Sequence, residues 1–241
     1  RFATDGPYPT LLSLLSKNGS QVMPSKYIEE NGLDYYLEHP IGCGPYQFKE
    51  WVKDNVVVLE RYDDYFGGTP YWDEVRFRAI PEASTRVAEL LTGNVDIIVN
   101  VPTNEWDRIN TEENTEMVLG NGTRIYNVIM KWNTSPTQNK QVREAVAYAI
   151  DAQTIIDTVL KGAGTPCYTR IAPGVFGQDK SLYNINKYDP DKAKELIASS
   201  GYNGEEIELL VPSGRYLMDS EVGKVVAAML QEAGLNIKLN V

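Results

Sequence analysis

Residues 207–241, IELLVPSGRYLMDSEVGKVVAAMLQEAGLNIKLNV, contain the pattern that decides the fold class. The apolar stretch Ile207 to Val211 predicts a strand, and Leu235 to Val241 predicts a second strand. The residues between them, Asp219 to Ala233, predict a helix that Gly234 ends. Strand, helix and strand in this order form a βαβ unit with parallel strands and a right-handed crossover. We therefore predict an α/β fold with an open mixed sheet in each half of the chain.

Helical signals also dominate the residues just before this unit. Apolar residues share one helix face over residues 142–150, which predicts a first helix. Asp151 is suited to cap a second helix, and Asp189-Pro190 begins a third helix that Gly201 terminates. The second half of the chain is therefore predicted to be rich in helices.

The first half is instead rich in strand patterns. Apolar and polar residues alternate around Tyr46, Val56 and Val75, which predicts antiparallel strands. Further elements are predicted in the following order: a helix capped by Ser84 or Thr85, a short buried strand from Val95 to Val99, a helix from Pro102 to Ile109, and a long strand from Arg124 to Asn133. We expect Trp51, Trp72 and Trp106 to lie in cores.

Charge changes at the same place as this pattern. Residues 1–120 contain 10 basic and 20 acidic side chains, whereas residues 121–241 contain 13 of each. The turn signal Asn121-Gly122 separates the two regions. We therefore predict two bodies with separate cores that join near residues 120–127.

Composition excludes several functional classes. A net charge of −10 argues against a nucleic-acid partner, and the apolar runs are far shorter than the ~20 residues that span a bilayer. The sequence contains no GxxxxGK[ST] or GxSxG motif, and Gly42-Cys43-Gly44-Pro45 precedes strand residues rather than a phosphate-binding helix. The single histidine, His39, has no metal-ligand or triad spacing. We therefore predict no catalytic residue, no metal site and no cofactor.

The two cysteines are 124 positions apart and form no redox or zinc motif. Two separate thiols are the preferred interpretation of Cys43 and Cys167. A disulfide between them stays open, because sequence does not give the Cα separation that decides it.

A series of ordered blocks over about residues 24–241 resembles the solute-binding proteins of ABC importers, specifically the peptide, dipeptide and nickel group. The blocks are Pro40-Ile-Gly-Cys-Gly-Pro-Tyr-Gln-Phe, Val57-Val-Leu-Glu-Arg-Tyr-Asp-Asp-Tyr-Phe-Gly-Gly-Thr-Pro, Ile80-Pro-Glu-Ala-Ser-Thr-Arg, Leu91-Thr-Gly-Asn-Val-Asp-Ile, Asn133-Thr-Ser-Pro, Val142-Arg-Glu-Ala-Val-Ala-Tyr-Ala-Ile-Asp and Tyr188-Asp-Pro-Asp-Lys-Ala-Lys-Glu-Leu-Ile-Ala-Ser-Ser-Gly-Tyr. Several blocks in the same order are far more specific than any one of them.

The resemblance implies a two-lobed, periplasmic-binding-protein-like fold of the type II cluster, with mixed sheets flanked by helices. Such a receptor captures a peptide or another small solute in the periplasm or outside the cell, with or without a lipid anchor, and delivers it to a membrane permease. Members run to about twice this length, so we expect a central fragment. Residues 1–122 would form the middle of the first lobe and residues 123–241 the incomplete start of the second. An exposed strand edge of such a fragment favours dimerisation.

The resemblance also nominates binding residues. The loop after the Val-Asp-Ile strand faces the cleft in relatives, which nominates Asn100 and Val101, and the crossing strand nominates Arg124 and Tyr126. Two interpretations of Arg124 stay open: it pairs with a peptide carboxylate, or it is an exposed strand residue. For Asn100 the alternative to ligand binding is a purely structural role as cap of the helix after Pro102. Receptors for nickel chelates, opines or sugars are alternatives within this fold, and a hydrolase or a surface adhesion protein is an alternative outside it.

Overall fold

The computed structural model describes residues 2–17, 19–120 and 122–241, and the chain divides into two compact units, Arg1–Ile80 and Pro81–Val241. Asn121, at the predicted break, lies outside the described residues. Among the helices that the structure describes, none combines the length and the apolar character needed to cross a bilayer.

The first unit is built around an antiparallel sheet. It contains α1 (Leu11–Leu15), α2 (Ser25–Asn31), α3 (Leu33–Glu38), β1 (Tyr46–Val52), β2 (Val56–Arg61) and β3 (Glu74–Arg78). The strands are adjacent in the order β1-β2-β3, and Val58 on β2 is buried opposite Arg76 on β3. Lys49 Nζ and Glu74 Oε2, 2.6 Å apart, add an ion pair between β1 and β3. The predicted antiparallel strands are confirmed.

Two of the three tryptophans expected in cores are exposed. Trp51 on β1 is 51% exposed and Trp72, just before β3, is 62% exposed, whereas Trp106 is buried as predicted. The prediction was wrong for the first two because alternation along a strand shows only which face a side chain occupies. It does not show whether a second layer covers that face.

The second unit contains the longer helices and a parallel strand pair. Its elements are α4 (Ala83–Leu91), a 3-10 turn (Thr103–Glu105), α5 (Trp106–Thr111), α6 (Lys140–Ala149), α7 (Ala152–Thr158), a second 3-10 turn (Lys180–Leu182), α8 (Pro190–Ser199), β4 (Ile207–Leu210), α9 (Asp219–Glu232) and β5 (Ile237–Asn240). Strands β4 and β5 are parallel, in register from Ile207 opposite Ile237 to Leu210 opposite Asn240. The predicted βαβ unit is confirmed. The expected mixed sheets are not seen among the described residues, because β1, β2 and β3 pair only antiparallel and β4 and β5 pair only parallel.

Two apolar clusters hold this unit together. The larger cluster gathers buried side chains of α6, α7, α8, α9 and β5, including Val142, Ile197 and Leu230. The smaller cluster contains Val87, Val101, Trp106 and Ile109.

The compact units do not coincide with the predicted halves 1–122 and 123–241. Residues 81–120 belong to the second unit, since Thr103 Oγ1 donates to the Val159 carbonyl over 2.9 Å and Lys161 Nζ lies 2.8 Å from Asp107 Oδ2. These polar contacts join the smaller cluster to the end of α7. The assignment of the two halves to two lobes stays a prediction.

Two predicted strands are irregular in the structure. Residues 95–99 and 124–133 form no ladder with any segment that the structure describes, and Ile97 is 84% exposed. The error has a simple cause: an apolar, β-branched run favours extended backbone, but a strand also requires a partner for its N–H and C=O groups.

Side-chain caps were predicted more accurately. Asp151 Oδ1 accepts from Thr154 N over 3.1 Å, and Asp189 Oδ1 accepts from Lys192 N over 2.9 Å. The predicted Ser84 or Thr85 cap of α4 is wrong, because the helix already begins at Ala83, both residues lie in its first turn, and Glu82 provides the acceptor. Cys43 and Cys167 are free thiols, as the preferred interpretation had it.

The cap of α4 generates a first prediction. The Ser84 hydroxyl, then the Thr85 and Ser84 amides, lower the pKa of Glu82 to about 2 from 4.5. Because the pKa of Glu82 is depressed in the folded state, these hydrogen bonds stabilise the fold at pH values above the ordinary pKa of Glu82, and this stabilisation is lost as pH falls towards 2.

In Ser84→Ala, carboxyl ¹³C NMR should show Glu82 titrating at a clearly higher pH. Ser181→Ala, which removes a similar hydroxyl contact to Asp179, should leave Glu82 unchanged. An unchanged Glu82 titration in Ser84→Ala would refute this account of the cap.

Close packing of α9 generates a second prediction. A Cβ atom on Gly223 would lie 2.6 Å from Val211 Cγ2 and closer still to Cγ1. Alanine normally favours a helix by ~1 kcal/mol over glycine, but valine is stiff and overpacking costs about 1–3 kcal/mol. Gly223→Ala should therefore lower the free energy of unfolding in urea. Val211→Ala should restore stability in the Gly223→Ala background, and purely additive effects would contradict the close contact.

Candidate functional site

The segment that joins β4 to α9, residues 211–218, is held by a buried carboxylate; we call this segment the β4–α9 loop. Asp219 is 5% exposed, and its Oδ2 accepts from Arg215 N over 3.0 Å and from Tyr216 N over 2.9 Å. Its Oδ1 accepts from Gly214 N and Ser220 N, each over 3.0 Å. Burying a charge is unfavourable unless hydrogen bonds compensate it, and here backbone amides supply them.

The backbone of the loop turns sharply at two positions. Gly214 has φ +72°, and Met218, the residue before α9, has φ +53° in the left-handed region. A non-glycine residue seldom adopts that conformation unless its surroundings fix it. The amide contacts of Asp219 surround this part of the chain and fix its course into the helix.

Two of the nominated residues contact this loop from residues 122–130. Arg124 Cζ lies 4.9 Å from the centroid of the Tyr216 ring, and Tyr126 meets the same ring edge-on with centroids 6.4 Å apart. Arg215 Cζ lies 5.3 Å from that centroid. Distances below about 6 Å are typical of cation–π contacts, so two guanidinium groups share one aromatic ring.

The Tyr126 hydroxyl donates a hydrogen bond to the Leu217 carbonyl. Burial, followed by the nearby Asp219 carboxylate, raises the pKa of Tyr126 to about 12, while Arg124 acts in the opposite direction. The phenol is therefore protonated at neutral pH and remains a donor. This bond ties residues 122–130 to the last turn of the loop.

Asn100 contacts the other end of the loop. Its side-chain Nδ2 donates to the backbone carbonyl of Arg215 over 3.4 Å. The backbone carbonyl of Asn100 accepts from Arg86 Nη2 over 3.3 Å. The following 3-10 turn has no side-chain cap, so Asn100 does not have the capping role considered as its alternative. Three of the four nominated residues thus converge on the β4–α9 loop.

Val101, the fourth nominated residue, lies in a core. It is 6% exposed within the smaller apolar cluster, and its carbonyl accepts from Trp106 Nε1 over 3.0 Å. Its side chain and its carbonyl are both occupied by these contacts. We therefore assign no ligand contact to Val101.

Sequence reasoning missed Arg215, Tyr216 and Asp219. A general rule could have found them, because ligands of open α/β sheets bind outside the carboxyl ends of parallel strands. The β4–α9 loop follows such an end directly. A glycine, a cation and an aromatic residue in that loop, Gly214-Arg215-Tyr216, were therefore candidates by position alone.

The charges of this cluster suit an anion. Arg124 and Arg215 are exposed, and neither has an ion-pair partner among the residues that the structure describes. Both oxygens of Asp219 accept from backbone amides rather than from a guanidinium group. Within residues 2–17, 19–120 and 122–241, no group of three or more His, Cys, Asp or Glu side chains is gathered as a metal site would require. Guanidinium groups instead match the planar geometry of a carboxylate.

Comparison with known proteins identifies the family. Over residues 1–241 the chain matches the family described as bacterial extracellular solute-binding proteins, family 5 Middle, and it belongs to that family. It is 29% identical, over 95% of its length, to the oligopeptide-binding protein AppA of Bacillus subtilis (strain 168). That alignment covers 44% of AppA, so the chain spans less than half the length of this relative. The resemblance found in the sequence is confirmed.

Solved structures agree on the fold. The binding protein AgaA of A. tumefaciens R10, solved in complex with agropinic acid, is 29% identical with a TM-score of 0.81 over 98% of this chain and 48% of AgaA. The periplasmic binding protein DppA of Helicobacter pylori, solved with the peptide STSA, is 25% identical with a TM-score of 0.83 over 98% of this chain and 46% of DppA. The predicted α/β fold of the periplasmic-binding-protein class, present as a partial segment, is confirmed. The family consists of binding proteins rather than enzymes.

The contact between Tyr126 and the loop generates a third prediction. Tyr126→Phe removes the hydrogen bond to the Leu217 carbonyl and should lower the free energy of unfolding by about 1 kcal/mol. Amide hydrogen exchange of residues 214–218 should become faster as well. Tyr183→Phe is a matched control, because Tyr183 donates to the Ile171 carbonyl over 2.8 Å outside this cluster. Equal exchange of residues 214–218 in the wild type and Tyr126→Phe would contradict the assigned contact.

Proposed function

We propose that this chain is part of the substrate-binding component of an ABC importer, which captures peptides or a related small solute outside the cytoplasmic membrane and delivers them to the permease. Membership of the extracellular solute-binding family supports the class of function. The relatives AppA and DppA, which bind peptides by name or by their bound ligand, support peptides as the first ligand to test. The protein would act without catalysis.

The observation that carries the choice of ligand is the cluster of Arg124, Arg215 and Tyr216. Two exposed guanidinium groups on one ring form a cationic surface in a chain whose net charge is −10. A free carboxylate is the chemical group that pairs with such a surface through charge-assisted hydrogen bonds. Peptide C-termini and acids such as agropinic acid both carry that group. We propose that the ligand presents its carboxylate to Arg124 and Arg215.

The other nominated residues have a supporting role in this proposal. Asn100 and Tyr126 hold carbonyl groups of the β4–α9 loop, so their contribution to binding is to fix Arg215 and Tyr216. Lobe closure, lipid anchoring and dimerisation through a strand edge stay predictions. Neutral sugars are less favoured, because they carry no anionic group for the two guanidinium groups. A nickel chelate built from an amino acid stays an alternative, because its carboxylate suits the same arginines.

A fourth prediction tests this function on the whole protein. Isothermal titration should show binding of the tetrapeptide Ser-Thr-Ser-Ala or of agropinic acid, and a mixture of short peptides extends the search. Arg124→Gln should weaken binding of the carboxylate ligand roughly 10- to 100-fold, because one charge-assisted pair is lost. Arg108→Gln, at an exposed arginine that pairs with Glu105, should leave affinity unchanged.

Three results would contradict the proposal. If none of these probes binds, the assignment of a peptide or acid as ligand is wrong. If a nickel–histidine complex is the one ligand that binds, the nickel alternative is favoured. Hydrolysis of the peptide during titration, at a rate that depends on His39, would contradict the absence of catalysis.

A further inference from the structure

We infer that Asp219 is a positioning residue for ligand recognition, which holds the β4–α9 loop in its binding conformation before a ligand arrives. This inference rests on the proposed function, because it concerns the same cluster of Arg124, Arg215 and Tyr216. Asp219 contacts no ligand in this account. It acts through the backbone of the loop.

The hydrogen bonds of Asp219 point to this role. The carboxylate is buried, and no ion pair joins it to a basic side chain among the described residues. Its contacts are backbone amides, and those of Gly214, Arg215 and Tyr216 lie three to five positions earlier in the chain. A residue that only capped α9 would accept from amides that follow it in the helix. Asp219 therefore fixes the loop more than it fixes the helix.

The carbonyl groups of the loop are held from the opposite side. Asn100 donates to the Arg215 carbonyl, and Tyr126 donates to the Leu217 carbonyl. At Arg215 the backbone N–H is bound by Asp219 and the C=O by Asn100, so both polar groups of one residue are fixed. The guanidinium of that residue then projects from a backbone whose position does not depend on ligand.

Without the carboxylate, the loop would lose this order. Gly214 is conformationally permissive, and the left-handed conformation of Met218 is unfavourable without support. At least three partly buried amides would also lack an acceptor, which favours a rearrangement towards solvent. A ligand would then have to order the loop as it binds, and this lowers affinity.

This mechanism differs from general stabilisation in one measurable respect. If Asp219 positions Arg215, its loss weakens recognition of the ligand carboxylate more than it weakens contacts elsewhere on the ligand. The ratio of affinities for a peptide acid and for the matching peptide amide measures that difference. A purely structural residue would change both affinities by the same factor.

The experiment compares Asp219→Ala, Asp219→Asn and the wild type in the whole protein. Titration with Ser-Thr-Ser-Ala and with its C-terminal amide should show that Asp219→Ala loses at least about ten-fold in affinity for the acid and much less for the amide. Asp219→Asn keeps one acceptor oxygen, so its loss should be intermediate. Amide exchange of residues 214–216 in the ligand-free protein should be faster in both variants.

Asp189→Ala is the matched control. Asp189 caps α8 through Lys192 N, so its loss also removes a carboxylate-to-amide bond at a helix start. This variant should be less stable than the wild type, with an unchanged ratio of acid to amide affinity and unchanged exchange of residues 214–216. If Asp219→Ala does not fold, the affinities for acid and amide and the exchange of residues 214–216 are compared between Asp219→Asn and the wild type.

The outcomes distinguish a failure of the positioning role of Asp219 from a failure of the proposed ligand. Wild-type exchange rates and a wild-type affinity ratio in both Asp219 variants would overturn the positioning role. Equal losses for acid and amide would reduce Asp219 to a structural residue and overturn it as well. If the wild type binds neither probe, the proposed ligand is wrong, while the exchange rates still decide whether Asp219 fixes the loop.

Discussion

The buried carboxylate of Asp219 is the constraint on which the candidate site depends. It binds amides of three consecutive loop residues, 214–216, and of Ser220, and it lies where the last turn of the loop meets α9. Neighbouring segments then bind the carbonyl groups of the same loop. Polar backbone groups of the loop are thus satisfied by the side chain of the first residue of α9 and by Asn100 and Tyr126 from two neighbouring segments. A site built on this loop is preorganised, which is how a receptor gains affinity without large contact area.

The scaffold for this loop is the larger apolar cluster. Helix α9 packs with α6 and α8 through buried residues such as Val142, Ile197 and Leu230, and β4 and β5 flank the loop and the helix in sequence. Gly223 allows α9 to approach Val211 closely at the start of the loop. Since both ends of the β4–α9 loop are anchored in packed elements, its amides have a fixed place from which to reach Asp219.

Sequence predicted best what local signals determine. The caps Asp151 and Asp189 and the parallel βαβ unit follow from residues close together in the chain, and all are present. The predictions that failed depended on remote partners. The run 95–99 had strand composition without a strand to pair with, and Trp51 had strand periodicity without a layer above it.

The site illustrates the same limit. Resemblance nominated Asn100, Arg124 and Tyr126, which the structure brings together although they belong to two separate segments. It missed Arg215, whose place depends on a carboxylate four positions later and on an amide side chain 115 positions earlier. Crystal structures of the whole protein with and without a bound peptide acid test the central claim most directly. We predict that Asp219 accepts from the same loop amides in both structures. A ligand-free structure in which the loop has turned away and Asp219 is in solvent would contradict the account.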